Sequence, residues 1–391
     1  MTKQPIFNGV KVIELASVLA GPSVGQFLSE LGAEVIKVEN PKTKGDVTRG
    51  WKISEEKTDD RSTYFISTNW NKKSIAIDYS KQDGLEILYK LISQADIVIV
   101  SFKPGDAIKL KVDYGSLKSL NEKLIYGVIT GYGDYNDRVG YDAVIQAESG
   151  FMSINGEKGG NPLKLPVALM DILAAHHLKE AILVAYIGIL KGETGQMVSV
   201  SLIDSAIASL ANQATNWLVG GVVPQQSGSL HPNIAPYGEV LYSKDDKPFI
   251  LAIGTDQQFE RLLIALQIEP SDDFATNEKR LQSRDALNEL LSTAFKKLKA
   301  QKLQEILINN NIPGGVINNI PEALNQYSNL VVHKDAMRAP RNFSAKIQGL
   351  VNASHFLPPP KFGEHTYEIL STHLALNDDQ IADLRYSGVV V

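Results

Sequence analysis

VKVIELASVLAGPSVGQFLSELGAEVIKVE, residues 10–39, decides the fold class of this chain. VKVIEL (10–15) is a short β-branched run that reads as a buried strand. Gly21-Pro22 then opens a helix over 22–31, because the fixed φ and missing N–H of proline suit a first helical turn. Gly32 ends that helix, and AEVIKVE (33–39) returns as a second strand. So compact a strand–helix–strand unit implies a parallel pair joined by a right-handed crossover. Further along, SIAIDY (74–79) and ADIVIVSF (95–102) flank the helix-like DGLEILYKLISQ, and LIYGVITGYG (124–133) adds a strand. This alternation predicts an α/β fold with a doubly wound parallel sheet and ligand loops at the strand C-terminal ends.

Residues 172–191 read as a long helix stopped at Lys191-Gly192, and MVSVSL (197–202) as another strand. Composition shifts near Pro224, where QQSGSLHPNIAPYG is turn-rich and leads into a second unit. There EVLYS and PFILAIG read as strands, with helices around 256–266 and 284–309. VINN, after Pro313-Gly314-Gly315, and the irregular stretch 340–365 read as a return to the first domain. The expected division is 1–223 for the large Rossmann-like domain, 224–320 for a smaller α+β domain, and 321–391 for the return.

A chain of 391 residues exceeds the size of one hydrophobic core. Its 43% hydrophobic and 21% charged content is that of a soluble globular protein. A net charge of −5 argues against nucleic acid as a partner. The absence of cysteine removes disulfides, thiolate catalysis and Cys-ligated zinc, and fits a cytoplasmic protein. The N-terminus lacks a signal-peptide core, and the longest apolar run, Ala181 to Leu190, is short for a bilayer span, so no membrane partner is expected.

One acid stands out. Asp171 lies in LPVALMDILAAHHL (165–178), with no other charged residue between Lys164 and Lys179. An isolated carboxylate in apolar sequence is unfavourable unless it is paired, caps a helix or is used. It reads either as the N-cap of the following helix or as a nucleophile kept ionised by that helix N-terminus. Other constellations are weaker. ASVLAGPS is not G-x-G-x-x-G, and Val18 and Leu19 block the backbone approach to a pyrophosphate, although Glu39 stands where a ribose-binding acid would. Lys37, Lys72, Lys73, Lys103, Lys109 and Arg138 recur at predicted strand ends; together they would suit a phosphorylated nucleotide, singly they are surface charges. The seven histidines offer no H-x-x-x-H pair, His176-His177 cannot share a metal comfortably on a helix, and no G-x-S-x-G occurs, so no metal site is expected.

The ordered motifs resemble the class III CoA-transferases, the family of carnitine CoA-transferase and formyl-CoA transferase that also includes α-methylacyl-CoA racemase. They are GVKVIELASVLAGP (9–22), LGAEVIKVENP (31–41), NKKSIAIDY (71–79), FKPG (102–105), RVGYD (138–142), the Asp171 segment, GQMVSVSLIDSA (195–206), HPNIAPYG (231–238), IPGGVIN (312–318) and FGEHT (362–366). The resemblance implies a Rossmann-like large domain built from both chain ends, a smaller inserted domain and an interlocked homodimer. It implies that Asp171 is the catalytic aspartate, and that coenzyme A is met at Val18, Leu19, Asn40, Ile77, Asp78, Tyr79, Ser80, Ser101, Phe102, Lys103, Lys109, Arg138, Tyr141 and Asp142. The chain departs from the family pattern at Ser101 (often Asn), Lys109 (usually Arg), Asn40 (Arg in some members) and Ala175 (often Gly). Lys109 keeps the charge without the bidentate fork.

The implied chemistry uses acyl-CoA and a small carboxylic acid as substrates and no prosthetic group. Asp171 forms an aspartyl anhydride, then an aspartyl-CoA thioester, and the Gly159-Gly160 loop and Gly228 are candidate oxyanion donors. The racemase branch places histidine in a G-H-D triplet; here the triplet is Gly140-Tyr141-Asp142. A phenol with an ordinary pKa near 10 is a poor two-way proton shuttle at neutral pH, which favours transfer. Epimerisation or lyase chemistry within the family stays open, and a non-catalytic CoA-binding protein would not need Asp171.

Overall fold

The computed structural model describes residues 4–349 and 356–391. Two compact units emerge: Met1–Ser149, Leu165–Ala214 and Ser328–Val391 form the first, and Gly150–Lys164 and Thr215–Tyr327 the second. The chain thus divides at 214/215 and 327/328, beside expected boundaries of 223/224 and 320/321, and residues 150–164 also join the second unit.

The first unit is built on a six-stranded sheet of order β3-β2-β1-β4-β5-β6, every neighbouring pair parallel. Its strands are β1 (Lys11–Leu15), β2 (Glu34–Glu39), β3 (Lys72–Ala76), β4 (Ile97–Val100), β5 (Ile125–Thr130) and β6 (Met197–Ser201). Between them come α1 (Ala20–Glu30), α2 (Thr63–Ile66), α3 (Gln82–Ile92), α4 (Pro104–Lys109), α5 (Tyr114–Leu117) and α6 (Asp142–Glu148). After α7 (Phe151–Ile154), which belongs to the second unit, α8 (Leu169–Leu190) precedes β6, and α9 (Leu202–Ala208) follows it. The doubly wound expectation holds, and β4, IVIV, is buried along its whole length as a sheet covered on both faces requires.

One face packs Ile13, Leu15, Ile36, Val38, Ile75 and Val98 against Leu88, Leu91 and Ile92 of α3. Ile369, Leu370 and Ile381 from the C-terminal helices Thr366–His373 and Asp378–Tyr386 complete this cluster. The chain end also alters β3. The Ile77 N–H still donates to the Glu39 carbonyl of β2 at 2.9 Å, but Ile77 also bridges Val390 antiparallel and the Asp78 N–H donates to the Val389 carbonyl at 2.8 Å, so the strand expected over 74–79 stops at Ala76. On the other face α8 presses on β5 at Gly127, where an added Cβ would lie 3.0 Å from Ile182 Cδ1. By length and composition α8 could cross a membrane; one side of it packs on α1, α9, β5 and β6, while Val184, Ile187 and Leu190 are exposed.

Helix α1 meets β1 at Gly25, whose Cβ would fall 1.9 Å from Glu14 Oε2. Alanine normally favours a helix over glycine by about 1 kcal/mol. At this position the sign should reverse: Gly25→Ala displaces a buried carboxylate and should lower stability by about 1–3 kcal/mol, read by urea denaturation.

In the second unit Tyr237–Tyr242 and Pro248–Ala252 pair antiparallel, and Gly314–Val316 joins as the third strand. VINN therefore closes the second unit rather than beginning the return, which starts at Ser328. The helix expected over 284–309 is two, Arg284–Phe295 and Ala300–Asn309, because Lys296–Lys299 turns the chain so that Phe295 and Leu303 both reach one core. Of the stretch expected to be irregular, 350–355 lies outside the described residues.

Candidate active site

In an order of 3-2-1-4-5-6 the chain reverses direction between β1 and β4, and the crevice above that reversal is the usual ligand site of open α/β sheets. Two cavities open there, both walled by loops at the C-terminal ends of strands. The first, about 340 Å³, is lined by Val18, Leu19, Ser101, Phe102, Lys103, Arg138, Tyr141, Asp142 and Asp171. The second, about 260 Å³, is lined by Asn40, Tyr79, Ser80 and again Phe102. Ser17 also borders both, so the loop after β1 is a shared wall.

Three candidates sit elsewhere. Ile77 is fully buried in its bridge to Val390, and exposed Lys109 in the last turn of α4 borders neither cavity. Asp78 is buried and paired with Lys42 at 3.0 Å, with Ser80 Oγ 2.5 Å away on its other oxygen. Those partners, helped by the Ser80 N–H, hold the carboxyl below its ordinary range against the opposing effect of burial.

Several strand-end cations are not ligands. Lys37 is 1% exposed, and its ammonium contacts Asp46 at 2.9 Å, Glu14 at 3.0 Å and the Ala16 carbonyl at 2.7 Å. Lys72, which opens β3 instead of ending it, is buried against Glu14 at 2.8 Å and the Pro22 carbonyl. Lys73 bridges Glu34 and Glu368. These pairings replace the phosphate role expected of all three. Glu39 is equally spent: buried, it pairs with Arg49 at 2.7 Å and accepts from Ser74 Oγ, so no ribose-binding acid is available there. Lys103 remains at the first cavity, 3.4 Å from Asp106. Arg138 also lines it, paired with Glu148 and stacked over Tyr132.

Asp171 occupies the third position of α8, not its cap. The N-cap is Ala168, which has no side-chain acceptor. The capping is supplied from α6: Asp142 Oδ1 accepts the Met170 N–H at 2.8 Å, and Asp142 Oδ2 accepts Gln146 Nε2 at 2.6 Å. Gln146 Oε1 in turn accepts the Leu165 N–H at 2.7 Å, so one side-chain pair stitches both ends of the segment leading to Asp171. Among the described residues the Asp171 carboxyl has no hydrogen-bond or ion-pair partner, and it lines the first cavity. Burial, and secondarily the charge of Asp142, push its pKa up to about 7. The expectation of a carboxylate kept fully ionised by the helix N-terminus is thereby corrected, because desolvation and a like charge outweigh the helix field.

Tyr64 escaped the sequence reading. It lies in α2, a four-residue turn capped by Ser62 Oγ, and stands edge-on to Trp51 with ring centroids 5.2 Å apart. Its hydroxyl is pushed up to about 12 by burial and then by the charges of Asp171, Asp142 and Asp46, although Tyr64 does not line the first cavity. A turn this short carries no periodicity that would mark it.

Of the expected oxyanion donors, the Gly160 N–H donates to the Glu157 carbonyl and the Gly228 N–H to the Gly156 carbonyl, all within the second unit. A better pair lies at α1. Leu19 is an N-cap without a side-chain acceptor, so the N–H groups of Ala20 and Gly21 have no partner within the helix, and both residues line the first cavity.

A family model described as CoA-transferase family III matches residues 7–366. A succinate–glutarate CoA-transferase of Agrobacterium fabrum is 39% identical over 386 residues, covering 94% of this chain and 96% of that protein. The human succinyl-CoA:glutarate CoA-transferase is 32% identical over 400 residues, 98% of this chain and 89% of its own. A crystal structure of a CAIB/BAIF family protein from Brucella suis superposes with a TM-score of 0.82 at 36% identity, covering 95% of this chain and all of that one. The chain belongs to CoA-transferase family III and is a CoA-transferase, an enzyme whose substrates are a CoA thioester and a carboxylic acid.

Proposed function

We propose that this enzyme exchanges CoA between small dicarboxylic acids of the succinate and glutarate class, with Asp171 as the acyl acceptor. The observation that carries the reading is the unpaired Asp171 carboxyl at the cavity that shares Ser17 and Phe102 with its neighbour at the topological switch point. The dicarboxylate class rests on the names of the similar transferases.

In this reading the nucleotide end of CoA lies in the second cavity near Asn40, Tyr79 and Ser80, and the pantetheine arm crosses Ser17 and Phe102. The thioester then lies in the first cavity, between Asp171 and the N-terminus of α1. An Asp171 oxygen attacks the thioester carbonyl, the C–S bond breaks, and CoA thiolate leaves with the electron pair. The thiolate attacks the Asp171 side-chain carbonyl and releases the donor carboxylate, leaving an aspartyl-CoA thioester. The acceptor carboxylate reverses both steps. No water is consumed, and each tetrahedral oxygen is served by N–H donors such as those of Ala20 and Gly21. A carboxyl titrating near neutrality suits the task, being more basic than an ordinary carboxylate yet substantially ionised at pH 7. The enzyme works in this reading as a homodimer, supported by the exposed apolar row Val184, Ile187 and Leu190 on α8.

The test is covalent trapping. Incubation with succinyl-CoA, followed by hydroxylamine or borohydride and peptide mass spectrometry, should place the adduct on Asp171 alone. An adduct elsewhere would sink the assignment. Deuterium wash-in at the α-carbon without acyl exchange would instead indicate a racemase.

A further inference from the structure

The loop that walls both cavities is strained. Val18 has φ +72°, the left-handed region that a β-branched residue rarely enters. Such a conformation persists only where the surroundings over-determine it, and it clusters at functional sites. Here the restraint comes from beneath. The Ala16 carbonyl accepts from Lys37 Nζ at 2.7 Å, and the Val18 N–H donates to Asp46 Oδ1 at 3.3 Å. Lys37 and Asp46 are themselves paired at 2.9 Å, so one buried ion pair grips the loop on both sides of Ser17. The Ser17 N–H donates to Ser101 Oγ at 3.3 Å, tying the loop to the end of β4. Glu14 joins Lys37 to Lys72, and Lys72 reaches the Pro22 carbonyl in α1 at 2.8 Å. Glu14, Lys37, Asp46 and Lys72 are each at most 5% exposed.

We propose that the Glu14–Lys37–Asp46–Lys72 network is a positioning device that forces Val18 into the left-handed conformation and so shapes the Ser17–Leu19 wall against which acyl-CoA is seated. The four residues act through that wall and are positioning residues. Two buried cations with two buried anions form a neutral set, which is the arrangement burial permits. Burial opposes the charge on Lys37, yet Asp46, Glu14 and Glu39 hold its ammonium above the ordinary range, so the grip on Ala16 persists at neutral pH. The proposal rests on the reading of the two cavities as the acyl-CoA seat.

The test exploits glycine, which enters the left-handed region without a steric barrier. CoA affinity is measured by isothermal titration calorimetry, a readout that needs no turnover, on wild type, Asp46→Ala, Val18→Gly and the double variant. Asp46→Ala should weaken CoA about tenfold in the wild-type background and threefold or less in the Val18→Gly background. Steady-state kinetics should show the loss mainly in KM for acyl-CoA, with kcat less affected. A merely structural Asp46 would give the same loss in both backgrounds, which overturns the proposal; so would an unchanged affinity. Should Asp46→Ala fail to fold, Asp46→Asn, which keeps an oxygen for the Val18 N–H but removes the charge paired with Lys37, carries the same cycle with an expected loss of about threefold that Val18→Gly removes. Failure of wild type to bind CoA would overturn the acyl-CoA seat and this proposal together. CoA binding with equal losses in the two backgrounds overturns only the positioning role.

Discussion

Asp171→Asn is expected to lower kcat/KM by about 10⁴-fold or more while raising the melting temperature at pH 8. The activity loss follows from removal of the acyl-accepting oxygen, since nucleophile deletions typically leave only the contribution of binding and oxyanion donors. The stability gain follows from the environment that activates the carboxyl. Its pKa is raised from 3.8 to about 7 by burial and then by Asp142, so the folded protein binds this proton more tightly than the unfolded chain. Stability from that proton is complete below pH 3.8 and is lost as pH rises through 7. At pH 8 the ionised carboxylate therefore opposes folding, by on the order of 2–4 kcal/mol at about 1.4 kcal/mol per unit. Asparagine avoids that cost. Thermal melts across pH 4 to 8 should show the advantage of the variant growing from pH 3.8 to about 7 and then levelling. Lost activity with unchanged melting would mean that Asp171 is not desolvated. Full activity would exclude it as nucleophile.

The acid limb of kcat/KM is expected near pH 7, with activity falling about tenfold per unit below it, to about one hundredth of the plateau at pH 5. The titratable and charged groups that share the first cavity with the Asp171 carboxyl include Asp142 on α6 and Arg138 and Tyr141 from the loop after β5. Of these, only Asp142 adds to burial in raising the Asp171 pKa. Asp142→Asn keeps an oxygen for the Met170 N–H but removes the charge. Its acid limb should move toward the ordinary carboxylate range without reaching it, because burial, the larger cause, remains. Activity at pH 5 should then be several-fold higher relative to plateau than in wild type. Asp142→Ala loses the cap as well and should lose about 1 kcal/mol of stability and plateau activity with it. An acid limb unmoved in Asp142→Asn would assign the whole shift to desolvation.

Much of the fold was legible before any coordinates. Strand and helix periodicity are local, so β1, α1, β2, β4 and β5 emerged close to their observed limits. What blurred were ends set by distant chain. β3 stops at Ala76 because the C-terminal residues capture Ile77 and Asp78, and the helix after Arg284 breaks where one core needs two faces. The active site was legible in its loops but not in its charges. Lys37 and Lys103 both read as strand-end cations, yet one is a buried counter-ion inside β2 and the other borders the cavity.

By itself, then, the sequence determined a parallel α/β sheet, the family blocks along it, and Asp171 as an isolated acid to be read as a helix cap or a nucleophile. Tertiary structure decided which cations border the cavity and that Asp142 rather than Asp171 caps α8. The reason is physical. Hydrophobic periodicity is written within a few residues, whereas the state of a charge depends on burial and on partners such as Glu14 and Lys72, 58 positions apart, that only folding brings together.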